Sequence, residues 1–205
     1  MKTIMKKDLP EIITEVLSHR VPTLIEDTGG LYRHAAVLVP IFNDGGGYKL
    51  LFTKRTRKVE AHKGQISFPG GAVEEGDGSY EETALREAQE EIGLLPEDVT
   101  ILGRSDDART LTSNYLIHPF VGLISYPYDF TINPGEVKRL LQIPLEIFLL
   151  EGSGDKVLPV AYEGATYESL TYRYDGEVIW GATARIIKNL VEVLGKNLGL
   201  LQEGL

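Results

Sequence analysis

Three glutamates, Glu87, Glu90 and Glu91, have the types and spacing that could bind a metal. If this part of the chain is helical, the i, i+3 and i+4 spacing places the three carboxylates on one face, within reach of a single point. Oxygen ligands of this kind suit hard divalent cations, Mg²⁺ or Mn²⁺, rather than zinc. Like charges at i and i+4 destabilise a helix, and no Lys or Arg at position 94 or 95 relieves Glu91. The sequence therefore predicts a metal-binding face, with a solvated acidic helix face as the alternative.

A helix from about residue 79 to residue 92 must carry these carboxylates. Ser79 is the candidate N-cap, Glu82 follows at the capping-box spacing, and Gly93 is placed to end the helix. The apolar stripe of this helix consists of Leu85, Ala88 and Ile92. At about 100° per residue the stripe lies away from the glutamates, so we expect the helix to pack on one side and present its carboxylates on another.

The segment before this helix, residues 57–79, is a long polar stretch that we interpret as a functional loop. Its Gly70-Gly71 pair lets the backbone approach a ligand closely, and the Gly71 carbonyl could add a metal ligand. Magnesium usually keeps water molecules and shares substrate phosphates, so an open carboxylate face suits a metal–phosphate complex.

The remaining elements mix helices and strands. A hairpin of two strands, 33–42 and 48–56, precedes the loop, and a short amphipathic helix, 8–19, precedes the hairpin. Further predicted elements are strands at 99–106, 118–125 and 136–144, a hairpin at 166–181 that turns at Asp175-Gly176, and a helix at 182–198. Hairpins rather than regular βαβ alternation indicate an α+β fold.

Composition limits the function classes. The chain of 205 residues has a net charge of −9, which argues against nucleic-acid and anionic-membrane partners. An anionic small substrate stays open, since bound cations can invert the field of a site. The absence of cysteine excludes disulfides, thiolate metal sites and cysteine nucleophiles. Because the sequence has neither a signal-peptide pattern nor an apolar run of about 20 residues, we expect a cytoplasmic protein.

The segment REAQEEIGL (86–94), together with Gly71, resembles the box of the Nudix hydrolases, G-x5-E-x7-R-E-U-x-E-E-x-G-U, in which U is bulky and aliphatic. The chain departs from that box in three ways. Asp77 stands where the first Glu is expected, eight residues rather than seven separate it from Arg86, and Ala88 takes a bulky aliphatic position. The other positions fit, and the chain is identified as a member of this superfamily by resemblance.

The likeness extends beyond the box, from about residue 33 to residue 194. Four segments resemble the coenzyme A pyrophosphatase branch: LLFTKRTRKVEAHKGQISFPGG (50–71), DDARTLTSNYLIHPFVGLI (106–124), NPGEVKRLLQIPLEIFL (133–149) and YRYDGEVIWGATARIIKNL (172–190). The one-residue expansion between Asp77 and Arg86 is also a feature of that branch. Glu60 departs from it, because the branch usually carries an Arg there.

This resemblance implies a Nudix-type α/β/α sandwich with a mixed β-sheet between helices. The domain would span residues 31–198, with an N-terminal helical extension at 1–30 and a C-terminal tail at 199–205. A homodimer is a further expectation at the level of the family. The N-terminal helix could cap the domain, join a dimer interface or cover the active site.

The resemblance also assigns roles within the box. The metal-binding glutamates of the family correspond to Glu87, Glu90 and Glu91. The Gly71 carbonyl would be a further ligand, and Arg86 would orient the glutamates through hydrogen bonds. The implied cofactor is Mg²⁺ or Mn²⁺, which would bridge pyrophosphate oxygens and activate a water molecule.

Residues outside the box have less specific roles. Glu136 is the candidate general base, with a box glutamate or a purely structural carboxylate as alternatives. Lys54, Arg55 and Lys63 flank the approach to the box and could hold substrate phosphates, or be ordinary surface cations. Tyr115 could stack on a base or line a channel for an acyl arm, or be a packed aromatic. We interpret the remaining candidates as structural: His34, His62, His118 and, in the core, Trp180.

The function implied by the resemblance is cleavage of coenzyme A or its thioesters to 3′,5′-ADP and (acyl-)4′-phosphopantetheine. The alternative enzyme is a Nudix pyrophosphatase acting on ADP-ribose, NADH or another nucleoside diphosphate derivative. A Nudix-fold binding module that has lost catalysis is a third hypothesis. It is disfavoured because all three box glutamates are present.

Overall fold

The computed structural model describes residues 9–56, 63–110, 113–150 and 157–197. Glu60, His62 and the tail at 199–205 lie outside these ranges. The helices are α1 Leu9–Ser18, α2 Tyr80–Ile92, α3 Leu145–Leu150 and α4 Gly181–Asn197, with a short 3₁₀ helix at Pro96–Asp98. The strands are β1 Arg33–Asn43, β2 Tyr48–Arg55, β3 Ile66–Ser67, β4 Gly70–Ala72, β5 Val99–Arg104, β6 Ala108–Arg109, β7 Tyr115–Ile124, β8 Val137–Pro144, β9 Val157–Tyr162, β10 Ala165–Tyr174 and β11 Glu177–Trp180.

The main sheet is mixed. Its strands follow the order β3-β2-β1-β7-β5, with β4 paired to β1, β6 to β7 and β8 to β2. β1 and β7 are parallel, whereas β1 and β2 form the predicted antiparallel hairpin. A separate antiparallel sheet has the order β11-β10-β9, and its β10–β11 hairpin turns at Asp175-Gly176 as predicted, with both residues at positive φ.

Strand β1 shows why the sheet needs a helical layer on each side. Ala36 and Leu38 are buried in one hydrophobic cluster with residues of α2. Val37 and Val39, which point to the other face, are buried in a second cluster with residues of α1 and α4. A strand buried on both faces is apolar at nearly every position. The structure thus confirms the predicted α/β/α sandwich with a mixed sheet.

Helix α1 belongs to the same core as the rest of the domain. Leu9, Ile13 and Leu17 are buried in the cluster that contains α4, and α1 packs against β5 and α4. Gly103 of β5 permits the close approach, because a Cβ there would lie 2.7 Å from the Cβ of Leu17. Within the described ranges, no helix is both long enough and apolar enough to cross a membrane.

Several sequence predictions were wrong in detail. The segment interpreted as one long loop contains β3 and β4, each too short to show a hydrophobic period. Strand β7 begins at Tyr115, so this residue lies on a strand rather than in the preceding loop. Strands β6 and β9 and helix α3 fall in segments for which the sequence predicted no element.

Gly70 allows β4 to lie against β1. Its φ is +154°, and a Cβ at this position would stand 2.3 Å from the carbonyl oxygen of Ala36. β4 pairs antiparallel with β1 through Val37 and Gly70, which brings the next residue, Gly71, beside α2. No residue with a side chain fits this position without displacing the backbone.

We expect Gly70→Ala to lower the free energy of unfolding by about 2–4 kcal/mol, from overpacking and an unfavourable φ. Urea denaturation monitored by circular dichroism measures this. Gly76→Ala is the control, because a Cβ at Gly76 meets nothing within 4 Å, and it should stay within about 0.5 kcal/mol of wild type. Equal stability of the two variants would contradict the close contact of β4 with β1.

Candidate active site

Local caps fix both ends of α2, the helix that carries the glutamates. The Oγ of Ser79 accepts a hydrogen bond from the backbone N–H of Glu82 at 3.1 Å. The Glu82 carboxylate accepts from the N–H of Gly78 at 2.8 Å, so the predicted capping box closes one residue earlier than the motif requires. Gly93 ends the helix in the left-handed conformation, with φ of 68°. The apolar stripe, of which Ala88 and Ile92 are fully buried, packs on β1.

Arg86 connects the loop before the helix to two of the glutamates. Its Nε and Nη2 donate to the two carboxylate oxygens of Asp77 at 2.9 and 3.0 Å, and Nη2 also donates to the Ala72 carbonyl at 3.1 Å. Its Nη1 donates to Glu87 at 3.0 Å and to Glu90 at 3.3 Å. These hydrogen bonds hold the pKa of Asp77 well below its usual range. Arg86 therefore binds three carboxylates, those of Asp77, Glu87 and Glu90.

Asp77 was missed as a site residue by the sequence analysis, which treated it only as a departure from the box. Its side chain is 6% exposed. It accepts hydrogen bonds from Arg86, from Thr83 Oγ1 at 2.8 Å and from the Glu74 N–H at 2.9 Å. Although Asp77 is shorter than glutamate and lies one residue further from Arg86 than the box requires, both of its carboxylate oxygens still accept hydrogen bonds from Arg86.

Gly71 makes room for the carboxylate of Glu87. A Cβ at Gly71 would lie 2.4 Å from the carboxyl carbon of Glu87. The Glu87 side chain is 15% exposed, and burial raises its pKa although Arg86 opposes the shift. A glycine at 71 is thus required by the packing of the glutamate itself.

Glu91 is the most buried of the three glutamates, at 1% exposure. Its Oε1 accepts from Nη1 of Arg55 at 3.0 Å, whereas its Oε2 has no hydrogen-bond partner among the described residues. Burial, together with the nearby carboxylates of Glu87 and Glu136, raises its pKa to about 8 against the opposing effect of Arg55. A buried carboxylate oxygen without a partner is a natural ligand for a hard cation.

Glu90 and Glu136 are more exposed. The Glu90 side chain is 57% exposed and is bound to Arg86. The Glu136 side chain is 43% exposed, accepts from Asn133 Nδ2 at 3.2 Å and lies 4.0 Å from Nη2 of Arg55.

Within the part of the chain that the structure describes, no three His, Asp or Glu side chains are arranged to hold a metal ion. The structure brings Glu87, Glu91 and Glu136 to one cavity and leaves Glu90 outside it.

This cavity has a volume of about 350 Å³, at the lower end of the range for small-molecule sites. Its polar lining consists mainly of Arg55, Gln65, Glu87, Glu91 and Glu136, and its larger apolar and aromatic lining includes Val37, Phe68, Tyr115, Ile117, Trp180 and Ile186. Gly71 also lines it, next to the glutamates. The cavity can accept a molecule with an anionic centre, neutralised by a cation, and an apolar or aromatic arm.

The predicted substrate-binding residues divide into two pairs. Arg55 and Tyr115 line the cavity. Lys63 is exposed and is not part of the lining. Lys54 does not line it either, and its Nζ lies 2.5 Å from Oε1 of Glu177, which also accepts from Arg139 at 2.7 Å. Lys54 thus ties β2 to the start of β11.

Trp180 was predicted to be a core residue, and the structure shows that this was wrong. It lines the cavity, with its ring centroid 5.4 Å from that of Tyr162 and 6.0 Å from that of Tyr167. The sequence signal was its place at a strand end directly before a helix. The following residues of α4, Gly181 to Thr183, also contribute to the lining.

His34 and His118 lie in a hydrogen-bonded network and not in the cavity lining. Nδ1 of His34 is 2.9 Å from Nε2 of His118, and Nδ1 of His118 is 2.9 Å from Oδ1 of Asp107. Asp107 accepts from the N–H of Ile25 at 3.1 Å, so the network holds the segment that follows α1. Both histidines thus connect β1 and β7 to the segment that follows α1.

Replacing Asp77 should destabilise the protein. Asp77→Asn removes the charge that Arg86 binds while keeping the shape, and we expect a loss of roughly 1–3 kcal/mol in the free energy of unfolding. Urea denaturation measures the change, and Glu75→Gln, at an exposed position of the same loop, is the control. An Asp77 variant as stable as the control would show that the ion pair does not hold the loop to α2.

The raised pKa of Glu91 predicts a pH dependence in the metal-free protein. The unfolded chain loses this proton near pH 4.5 and the folded protein keeps it until about pH 8. The stability from the neutral form is therefore complete below pH 4.5 and is lost as the pH rises towards 8. Melting temperatures at pH 5.5 and pH 8 in EDTA measure this loss.

A glutamine at position 91 cannot ionise, so the Glu91→Gln variant should show a much weaker dependence of melting temperature on pH. Adding Mg²⁺ at pH 8 should raise the melting temperature of wild type but not that of the variant. An unchanged slope in the variant would assign the pH dependence to other groups.

A family model and curated relatives identify the family of the chain. A family model described as NUDIX domain matches residues 32–156, more than half of the chain. A protein of Pectobacterium atrosepticum named "Uncharacterized Nudix hydrolase NudL" is 40% identical over 161 residues, which cover 77% of this chain and 81% of the relative. The protein of the same name from Photorhabdus laumondii is 37% identical over 160 residues, which cover 78% and 84%.

Solved structures include an Ap4A hydrolase binary complex from C. elegans, with 20% identity and a TM-score of 0.48 over 56% of this chain and 81% of that one. A MutT protein from Methanosarcina mazei has 18% identity and a TM-score of 0.46, over 82% and 95%. On the family model and the two NudL relatives, the chain belongs to the Nudix hydrolase family, whose enzymes act on pyrophosphate bonds.

Proposed function

We propose that this Nudix hydrolase is a metal-dependent pyrophosphohydrolase that cleaves coenzyme A or acyl-coenzyme A to 3′,5′-ADP and (acyl-)4′-phosphopantetheine. The observation that carries the proposal is the buried Glu91, whose Oε2 lacks a hydrogen-bond partner among the described residues, beside Glu87 in a cavity with a large apolar wall. The choice of coenzyme A is supported by the four segments that resemble that branch of the family.

The residues at this end of the cavity fit a hard divalent cation. Glu87 and Glu91 supply oxygen ligands, and the Gly71 carbonyl is the further candidate. Glu90 would complete the set after a rotation of its exposed side chain away from Arg86. When bound, Mg²⁺ or Mn²⁺ would neutralise pyrophosphate oxygens and lower the pKa of a coordinated water molecule.

The chain's own residues have four tasks in this reaction. Arg86 keeps Glu87 in position, and Arg55 does the same for Glu91. Glu136 is the candidate general base, because it reaches the cavity while keeping contact with solvent, to which it can pass a proton. Burial of Glu91 excludes water from one side of the site, which strengthens its interaction with a cation.

The shape of the cavity is compatible with more than one nucleotide derivative. Tyr115 and Trp180 offer aromatic faces that could contact a base or an uncharged arm. ADP-ribose and NADH share the diphosphate and the adenine of coenzyme A, so they are the alternative substrates.

Incubation of the purified protein with Mg²⁺ or Mn²⁺ and, separately, coenzyme A, acetyl-coenzyme A, ADP-ribose and NADH tests the proposal. We expect 3′,5′-ADP from the coenzyme A compounds and little turnover of the other two, with products identified by liquid chromatography. Preferential turnover of ADP-ribose or NADH would overturn the assignment of the substrate.

Glu91→Gln tests the assignment of the metal site in the same assay. It should lower activity by roughly 100-fold or more, because it removes the charge of a buried ligand while keeping its shape. Glu81→Gln, on the exposed part of the same helix, is the matched control and should retain wild-type activity. Full activity of the Glu91 variant at limiting metal would contradict the metal assignment.

A further inference from the structure

The turn at residues 133–136 leads into β8 and carries Glu136, the candidate general base. This turn is fixed to the C-terminal end of α2, where the last carbonyl groups of a helix have no partner within it. The Glu91 carbonyl accepts a hydrogen bond from the backbone N–H of Asn133 at 2.9 Å. The Ile92 carbonyl accepts one from the N–H of Thr131 at 3.0 Å. The segment that carries Glu136 is thus bonded to the backbone of a buried glutamate of the site.

Asn133 closes this turn with both its side chain and its backbone. Its Oδ1 accepts from the N–H of Gly135 at 3.0 Å, two residues further on, which is the Asx turn that asparagine commonly forms. Its backbone carbonyl accepts from the N–H of Glu136 at 3.1 Å and from that of Val137 at 2.8 Å. Three hydrogen bonds to Asn133 therefore shape the turn before β8 begins.

The same amide also holds the carboxylate of Glu136. Nδ2 of Asn133 donates to Oε1 of Glu136 at 3.2 Å, and the other oxygen, Oε2, lies 4.0 Å from Nη2 of Arg55. The reverse orientation of the amide would place its oxygen against a carboxylate and its NH₂ group against the N–H of Gly135, so both contacts would be repulsive. One amide therefore sets the turn with its oxygen and the direction of the carboxylate with its nitrogen.

Thr56, directly after β2, holds the turn from the other side. Its N–H donates to the carbonyl of Glu136 at 2.7 Å, and its Oγ1 donates to the carbonyl of Gly135 at 2.8 Å. The backbone of Glu136 is therefore fixed by two elements. A glutamate side chain still has rotatable bonds when its backbone is fixed, and the hydrogen bond from the Asn133 amide restricts that freedom.

We propose that Asn133 is a positioning residue for the reaction, whose amide keeps the Glu136 carboxylate at the cavity in the orientation in which it accepts a proton. This inference rests on the proposed function, because it takes Glu136 as the general base. Asn133 itself does not line the cavity, so it acts through Glu136. A small misplacement of a catalytic group lowers the rate strongly, which is why a hydrogen bond to the base matters for catalysis.

A substitution that keeps the turn and removes the donor isolates this role. Asn133→Asp retains an oxygen that can accept from the N–H of Gly135, but it faces Glu136 with a second carboxylate. We expect kcat to fall about tenfold, within the contribution of general base catalysis, and KM to stay within about threefold of wild type. The assay uses saturating Mg²⁺ and whichever of coenzyme A, acetyl-coenzyme A, ADP-ribose and NADH the wild type hydrolyses.

Two further variants separate the donor from the charge. Asn133→Ser also offers an oxygen to the turn but is too short to reach Glu136, and it adds no charge, so it should show the same loss of kcat even if the aspartate variant does not fold. Asn43→Asp is the matched control. Asn43 forms the same turn, with its Oδ1 accepting from the N–H of Gly45 at 2.9 Å, at the end of β1 and outside the cavity lining. Asn43→Asp should keep the wild-type kcat and KM.

A double-mutant cycle with Glu136→Gln shows whether Asn133 acts through Glu136. Glu136→Gln alone removes the base and should lower kcat by about 100-fold. Asn133→Ser in that background should cause no further loss, because no base is left to position. If the two losses multiply instead, Asn133 acts on another part of the site and the inference is overturned.

The outcomes separate this inference from the proposed function. Wild-type kcat in both Asn133 variants, with a large loss in Glu136→Gln, would overturn the inference and leave the general base in place. Wild-type kcat in Glu136→Gln would overturn the general base and this inference with it. If ADP-ribose or NADH is hydrolysed in place of the coenzyme A compounds, the substrate assignment fails, and the same cycle on that compound still tests Asn133.

Discussion

The close approach of β4 to both β1 and α2 is the constraint on which the site depends. Gly70 lets β4 lie on β1, and Gly71 then leaves room for the Glu87 carboxylate between strand and helix. The same contact covers Glu91, which becomes a buried carboxylate with a raised pKa. Two adjacent glycines therefore set the depth at which the glutamates lie, and burial at that depth raises the pKa of both Glu87 and Glu91.

Burial of acidic groups at this depth requires counterions within the chain. Arg86 binds Asp77, Glu87 and Glu90, and Arg55 binds Glu91. Each arginine also links separate elements, since Asp77 precedes α2 in the loop and Arg55 lies at the end of β2. The ion pairs thus hold the loop, the helix and the sheet edge in one arrangement around the cavity. A site built in this way is organised before a substrate arrives.

Helix α2 and its caps could be predicted because their signals are local: Ser79, Gly93 and the apolar stripe all lie within one segment. The alternation of side chains along a strand also predicts which of two neighbouring residues can reach the cavity. Lys54 and Arg55 are adjacent on β2, so they must point to opposite faces and only one of them can reach the cavity. Trp180 could not be placed from sequence, because its position depends on how β11 packs beside β3 and α4. Composition and spacing do not encode that contact.

The distribution of charge explains how an acidic protein can accept an anionic substrate. Arg55 and Arg86 are already occupied by carboxylates, so they provide little net positive charge to an incoming diphosphate. The carboxylates paired with them outnumber these two arginines, so this end of the cavity is acidic, and a divalent cation would offset that negative charge.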